Sequence, residues 1–191
     1  LDKVINKSAK NIFVIISVGG GIRSLGDIDR VLRNGADKVS LNTAAVYNPD
    51  LIRLASEAYG SSTISINIET QQIDGNFEVL VESGRQRTGQ ELFSYIEKIQ
   101  KLGAGEICVT SIFHEGRQKG SNLDLYKTLR KHCSVPLIAH GGINSKEEIY
   151  KLFSIADVDG VSIASLFHYS YLEKKSEISR EGRNVFLNSE K

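Results

Sequence analysis

A glycine-rich unit suited to binding phosphate occurs twice in this 191-residue chain. In the first copy, Val-Gly-Gly-Gly-Ile-Arg at residues 18–23 leads through a helical stretch to Lys-Val-Ser-Leu-Asn-Thr at 38–43. In the second copy, Ala-His-Gly-Gly-Ile-Asn at 139–144 leads to Gly-Val-Ser-Ile-Ala-Ser at 160–165, an offset of 121 to 122 residues. Each copy is predicted to form a strand, a glycine turn, a helix and a second strand. The repeat therefore indicates a barrel built from two similar halves.

Both copies carry the same chemistry at the C-terminal end of a strand. Glycine lets the backbone approach a ligand closely, and the free N–H groups at the start of the next helix favour an anion. Asn42 and Thr43 in one copy, and Ala164 and Ser165 in the other, add further donors. Two such devices at the mouth of one barrel predict a ligand with a phosphate at each end. The alternative is that the glycines serve only tight turns.

The elements that position these residues alternate between short β-branched runs and longer amphipathic stretches. Candidate strands lie at residues 13–18, 38–41, 63–69, 106–111, 137–139 and 160–164, and candidate helices at 25–34, 49–59, 89–102, 123–131 and 146–154. This alternation predicts a parallel sheet with right-handed crossovers. The one longer connection predicts a β-hairpin at 71–81, with its turn at Asp74 and Gly75, followed by a mobile loop at 82–89.

The composition excludes several classes of protein. The net charge is +1 and no apolar run approaches the length of a membrane span, so neither nucleic acid nor a membrane is an expected partner. Cys108 and Cys133 belong to no CxxC pair, and Cys108, which lies in an apolar run, is predicted to be a core residue. We therefore expect a cytoplasmic protein that uses no metal and no other cofactor. Because residue 1 is Leu and methionine is absent, we also expect the sequence to begin part-way into a longer protein.

Four stretches, at residues 19–23, 35–46, 103–107 and 164–168, support a resemblance to a known family. They resemble the cyclase subunits (HisF) of imidazole glycerol phosphate synthases, and the resemblance runs from about residue 12 to 169. It implies a (β/α)8 TIM barrel over residues 1–170, incomplete because strands 1 and 2 are missing and about six are present. A polar C-terminal helix or tail is expected at 171–191.

The resemblance also implies an activity and a partner. Members of this family are lyases of histidine biosynthesis that form imidazole glycerol phosphate and AICAR from a ribulosyl bisphosphate. They use ammonia supplied through the barrel by a glutaminase subunit, so a heterodimer with such a subunit and a small bisphosphate substrate are expected.

The phosphate-binding residues of the family carry over position by position. Gly21, Asn42 and Thr43 would hold one phosphate. The other phosphate would be held by residues that follow the later strands, namely Glu115, Gly116, Gly142, Ala164 and Ser165.

The second of the family's two catalytic aspartates falls at Glu69, whereas the first has no counterpart because strand one is absent. A strand-end carboxylate at the catalytic face suits general acid–base work, and the alternative is a solvated strand-end carboxylate. This chain also has Phe-His-Glu-Gly at 113–116, where the family usually has Asp-Arg-Asp-Gly, and His140 where the family has a small polar residue. His114 and His140 are either added acid–base groups or residues that shape and pack the site.

At the other end of the barrel, Lys38 and Glu106 stand at the starts of their strands. In the family, two such residues belong to a charged ring through which ammonia enters, and Asp37 falls where the family contacts its glutaminase. The alternative for the pair is an ordinary ion pair on the barrel floor. Two other functions stay open: a paralog that delivers ammonia to a sugar amidotransferase in surface-glycan biosynthesis, and a non-catalytic phosphate-binding fragment.

Overall fold

The fold comes from a computed structural model, which describes residues 1–113, 120–164, 166–168 and 171–172. Within these residues, eight strands form one sheet: β1 (Ser17–Gly19), β2 (Lys38–Leu41), β3 (Ile64–Ile73), β4 (Asn76–Val81), β5 (Gln86–Glu91), β6 (Glu106–Ser111), β7 (Leu137–His140) and β8 (Gly160–Ser162). Six of them pair in parallel in the order β1-β2-β3-β6-β7-β8. The predicted incomplete (β/α)8 barrel with six parallel strands is therefore confirmed.

Helix α1 (Asp2–Asn11) precedes β1. The helices that connect the parallel strands are α2 (Leu25–Arg33), α3 (Thr43–Tyr47), α4 (Asp50–Tyr59), α5 (Leu92–Lys101), α6 (Leu123–His132) and α7 (Lys146–Ala156). Within the described part of the chain, no helix is long and apolar enough to cross a membrane. Cys108 is buried, as predicted; Cys133 is also buried, and neither cysteine forms a disulfide.

The two faces of the parallel sheet differ in composition because side chains alternate along each strand. One face packs against the helices and is apolar; its buried residues include Val39, Leu41, Ile64, Ile66, Ile68, Ile107, Val109, Leu137 and Ala139. The opposite face, called the inner face below, is mostly polar and carries Ser40, Ser65, Asn67, Glu69, Thr110 and His140. The core therefore lies between sheet and helices, and the inner face is left for chemistry.

The first strand is shorter than its sequence predicts. The β-branched run from residue 13 favours a strand there, but β1 begins at Ser17 and Phe13 is 95% exposed. Val14 and Ile15 are also exposed. A strand needs a hydrogen-bonding neighbour, and β2, the only described strand that pairs with β1, begins at Lys38 opposite Ser17.

The predicted hairpin is present and is longer than expected. Strand β3 runs on to Ile73 and pairs antiparallel with β4 across a turn in which Asp74 and Gly75 both have positive φ, as in the type I′ turns that are common in two-residue hairpins. The expectation of a mobile loop at 82–89 is wrong over its second half. Strand β5 pairs with β4 there, and Arg87 forms an ion pair with Glu78 at 2.7 Å.

The internal repeat extends to the helix caps. Ser24 begins α2 by accepting a hydrogen bond from the N–H of Asp27, and Ser145 begins α7 by accepting one from Glu148. In each copy the acidic side chain reciprocates, accepting from the backbone N–H of the residue before the serine. This reciprocal capping box satisfies N–H groups that would otherwise lack partners, and it fixes the start of each helix beside its glycine turn.

Candidate active site

Paired glycines with left-handed backbone follow β1 and β7. The φ angles are +96° and +71° at Gly20 and Gly21, and +99° and +82° at Gly141 and Gly142. Residues other than glycine are strained at such φ angles. Space is not the reason for glycine at positions 20 and 21, because no atom would obstruct an added Cβ there. Glycine is therefore required here by backbone shape. Because β1 and β7 are parallel, both turns lie at the same edge of the sheet.

A cavity of about 610 Å³ opens at the first glycine turn. It is lined by Gly21, Asn42 and Thr43, so the three residues predicted to hold one phosphate are brought together. The side-chain oxygen of Asn42 is buried and has no hydrogen-bond partner among the residues that the structure describes. Arg23 also lines this cavity and supplies a cation that was not predicted from the sequence, although it lies only two residues after Gly21.

The loop after the hairpin closes one side of this cavity. The backbone N–H of Glu82 donates to the Thr43 hydroxyl at 3.3 Å, and both Glu82 and Ser83 line the cavity. The Thr43 side chain is thereby tied to a loop 39 residues further along the chain. This long-range contact joins the cavity at the first glycine turn to the segment whose Gly84 contacts Glu69.

Only some of the residues predicted to hold the second phosphate lie in the part of the chain that the structure describes. The N–H of Gly120 donates to the carbonyl of Gly142 at 3.1 Å, which ties the segment before α6 to the second glycine turn. Ala164 lies two residues beyond β8. The remaining residues expected here, Glu115, Gly116 and Ser165, lie outside the described residues, as does His114.

Glu69 lies on the inner face of β3, near the edge that carries both glycine turns. Its Oε2 accepts a hydrogen bond from the N–H of Gly84 at 2.8 Å. The side chain is partly buried, so it is neither sealed in the core nor fully solvated.

Glu69 begins a row of paired residues that continues across the next three strands of the sheet. Glu69 pairs in register with Thr110 on β6, Thr110 with His140 on β7, and His140 with Ser162 on β8. We call Glu69, Thr110, His140 and Ser162 the rim row. Paired residues of parallel strands point to the same face, so the rim row forms one layer across the inner face. Thr110 was missed by the sequence reading; the only signal for it was the alternation along the strand at 106–111.

Lys38 and Glu106 lie at the opposite end of the sheet. Their side chains meet at 2.5 Å between Nζ and Oε2, and they are 24% and 19% exposed. The ion pair reaches across β3, because Lys38 begins β2 and Glu106 begins β6. The neighbouring Asp37 is exposed and accepts a hydrogen bond from the backbone N–H of Ile16 at 2.8 Å.

The fold and site define a class of protein: an α/β barrel with two glycine turns and a carboxylate at the C-terminal edge of its strands. Residues 1–173 match the family model described as histidine biosynthesis protein, and the chain belongs to that family. It is HisF-like, which confirms the resemblance read from the sequence.

Three relatives illustrate this similarity, each an imidazole glycerol phosphate synthase subunit HisF. The subunit from Natranaerobius thermophilus is 38% identical over 97% of this chain and 75% of its own length. That from Dehalococcoides mccartyi is 37% identical over 97% of this chain and 74% of its own length. That from Methanocaldococcus jannaschii is 39% identical over 87% of this chain and 68% of its own length.

Proposed function

We propose that the protein is a cyclase of the HisF type, which uses ammonia to close an imidazole ring. The reaction takes a ribulosyl bisphosphate and gives imidazole glycerol phosphate and AICAR. One observation carries this proposal: the two glycine turns lie at the same edge of one sheet, with Glu69 on a strand between them. Family membership supports the general assignment to histidine biosynthesis.

The spacing of the glycine turns fits a substrate with phosphates at both ends. Strands β1 and β7 are four neighbours apart in the sheet. At about 4.8 Å per neighbour this is roughly 19 Å along the sheet, and less across the cleft because the sheet curls. The four-strand separation corresponds to opposite sides of an eight-stranded barrel. Gly21, Asn42 and Thr43 would bind one phosphate, and Gly142, Ala164, Ser165, Glu115 and Gly116 the other.

Glu69 would then act as a general acid or base between the two phosphate sites. Its carboxylate is fixed by the Gly84 N–H, and a held, partly buried carboxylate loses little orientation freedom when substrate binds. Proton transfer by such a group contributes on the order of 10²–10⁴ in rate.

The ion pair at the opposite end supports a route for ammonia. We propose that a glutaminase subunit docks near Asp37 and that ammonia enters past Lys38 and Glu106. The relatives are named as subunits of a synthase, which supports a heterodimer. Ammonia is small and neutral, so it can pass a charged constriction that excludes larger or charged solutes.

The test compares ammonia from two sources. Turnover of the bisphosphate should be measured with ammonium salt alone, and with glutamine plus the glutaminase subunit. We expect both to support ring closure. Replacing Lys38 by Met should lower glutamine-dependent turnover at least tenfold and leave ammonium-dependent turnover within a few-fold, because free ammonia also reaches the open rim. The absence of turnover with either source would overturn the proposal.

A second function is favoured by the residues at the rim. Phe113, just after β6, is 55% exposed, and His140 occupies the rim row beside Thr110. These departures from the family pattern favour a paralog that conducts ammonia to a sugar amidotransferase. Such a protein would stimulate glutamine-dependent amination of a sugar acceptor without consuming the bisphosphate. A fragment that only binds phosphate would do neither.

A further inference from the structure

We propose that His140 is a second acid–base group of the same active site, working across the rim row from Glu69. This inference rests on the proposed cyclase function and deepens it by assigning a residue to the proton transfers. It is carried by the register of β3, β6 and β7 and by the hydrogen bond between Thr110 and His140.

The strand register places the side chains of Glu69 and His140 on either side of one region of the inner face. Glu69 and His140 share the inner face, with Thr110 between them. Adjacent strands are about 4.8 Å apart, so the two backbones are separated by roughly 10 Å. Side chains that lean inward from such positions leave room for a reacting group between them rather than contacting each other. A base on one side and an acid on the other is the arrangement that a condensation needs.

Hydrogen bonds hold both the ring and the backbone of His140 in place. Its Nδ1 lies 3.0 Å from the Thr110 hydroxyl, which is itself buried. The backbone on both sides of the ring is fixed by the phenol of Tyr126, which donates to the His140 carbonyl at 2.8 Å and accepts from its N–H at 3.2 Å. A catalytic imidazole needs such an orienting partner on one nitrogen.

The neighbouring glycines make His140 poorly placed to act only as a phosphate ligand. Gly141 and Gly142 turn the chain away from the strand immediately after it. Phosphate bound at that turn would be held by backbone N–H groups beyond the strand end. His140 instead precedes the turn, on the strand itself and level with Glu69.

Proton balance in the first step of ring closure calls for two groups. When ammonia attacks a ketose carbonyl, a carbon–nitrogen bond forms, the carbon–oxygen bond breaks, and the oxygen leaves as water. The two protons that the oxygen gains come from the attacking nitrogen. Glu69 takes a proton from nitrogen, and His140 gives one to oxygen; transfer through water from Glu69 back to His140 restores both groups, and a second round releases the water.

The experiment uses the complete protein with ammonium salt and the bisphosphate. For His140→Ala we expect kcat to fall by about 10²-fold or more with KM within a few-fold, and added imidazole to restore at least a tenfold increase. Glu69→Gln should show a similar loss in kcat with no response to imidazole. His132→Ala is the matched control: this outer histidine pairs with Glu97, and its replacement should leave kcat unchanged.

Three results would distinguish a failure of the His140 inference from a failure of the proposed cyclase function. A loss confined to KM and insensitive to imidazole would assign His140 to substrate binding and overturn the inference. Full activity of His140→Ala would overturn it while leaving the cyclase function intact, whereas an inactive wild-type protein would overturn both. If His140→Ala does not fold, as judged by circular dichroism, His140→Gln keeps a polar side chain and is expected to show the same loss in kcat.

Discussion

Asp37 and Asp159 occupy equivalent positions in the two copies of the repeat and make the same pair of hydrogen bonds. Each Oδ2 accepts from a backbone N–H at 2.8 Å, that of Ile16 for Asp37 and that of Leu137 for Asp159. Each aspartate also donates its own N–H to the carbonyl of that same residue at 2.9 Å. Both carboxylates therefore tie the start of one strand to the loop before the next.

This relationship predicts a loss of stability when either aspartate is removed. Asp37→Ala should lower the free energy of unfolding by about 1 kcal/mol, because an ionised acceptor of a backbone N–H is lost at an exposed position. Asp159→Ala should cost more, about 2 kcal/mol, because Arg130 also loses its 2.7 Å partner. Urea denaturation measures both. The exposed Asp124→Ala should change stability by less than about 0.5 kcal/mol, and an equal effect in all three variants would contradict the prediction.

Alanine at Gly21 should impair both folding and phosphate binding. With φ at +71°, a side chain there is strained, and we expect a loss of about 1–2 kcal/mol in the free energy of unfolding. Affinity for inorganic phosphate, measured by calorimetry, should fall as the turn distorts. Gly26→Ala is the matched control because Gly26 lies in α2 and φ there is not positive. That variant should be as stable as the wild type or more stable by up to about 1 kcal/mol, with phosphate binding unchanged. Equal phosphate affinities in the two variants would argue against a phosphate site at Gly21.

Replacing Glu69 by Gln removes the titrating group with little change of shape. The amide oxygen can still accept from the Gly84 N–H, so the loop should stay in place. We expect ammonium-dependent kcat to fall 10²-fold or more and ligand affinity to stay within a few-fold. Steady-state kinetics and calorimetry measure the two effects, and Glu57→Gln on the outer helix α4 serves as the control. Unchanged turnover in Glu69→Gln would show that this carboxylate is not catalytic.

The hairpin should lose stability in acid. The hydrogen-bonded Arg87 guanidinium and then the Gly89 N–H lower the pKa of Glu78 from its usual range. A lowered carboxylate pKa stabilises the folded state above the unfolded pKa of about 4.3, and this contribution is lost as the pH falls through the folded value. The stability difference between wild type and Glu78→Gln should therefore be largest near pH 7 and shrink progressively below about pH 4.3. A difference that does not change between pH 7 and pH 3 would disprove this account.

The features that sequence could predict are local ones. The glycine turns, Asn42 and Thr43 follow strands directly, so a short stretch of sequence specifies both the residue and its place at the strand end. Lys38 and Glu106 could be assigned to one end of the sheet because both begin parallel strands, and the ion pair between them follows from that shared end.

The features that sequence could not predict depend on contacts between distant segments. The bond from Thr110 to His140 joins residues 30 apart and depends on the register of β6 against β7, which no local pattern specifies. Strand β5 lacks apolar alternation, and its pairing with β4 is supported by the bonds from Arg87 and Gly89 to Glu78. Residues 13–15 have the composition of a strand but lie before the point where β2 begins to pair with β1.

The division of the sheet into an apolar outer face and a polar inner face has an evolutionary consequence. Substitutions on the inner face change the chemistry at the cleft, while the packing that holds the protein together lies on the other side of the same strands. Substitutions at inner-face positions such as 69 and 140 can therefore accumulate with little effect on the apolar packing. A sheet built in this way can acquire a new reaction by successive single substitutions, each of which leaves a folded protein on which selection can act.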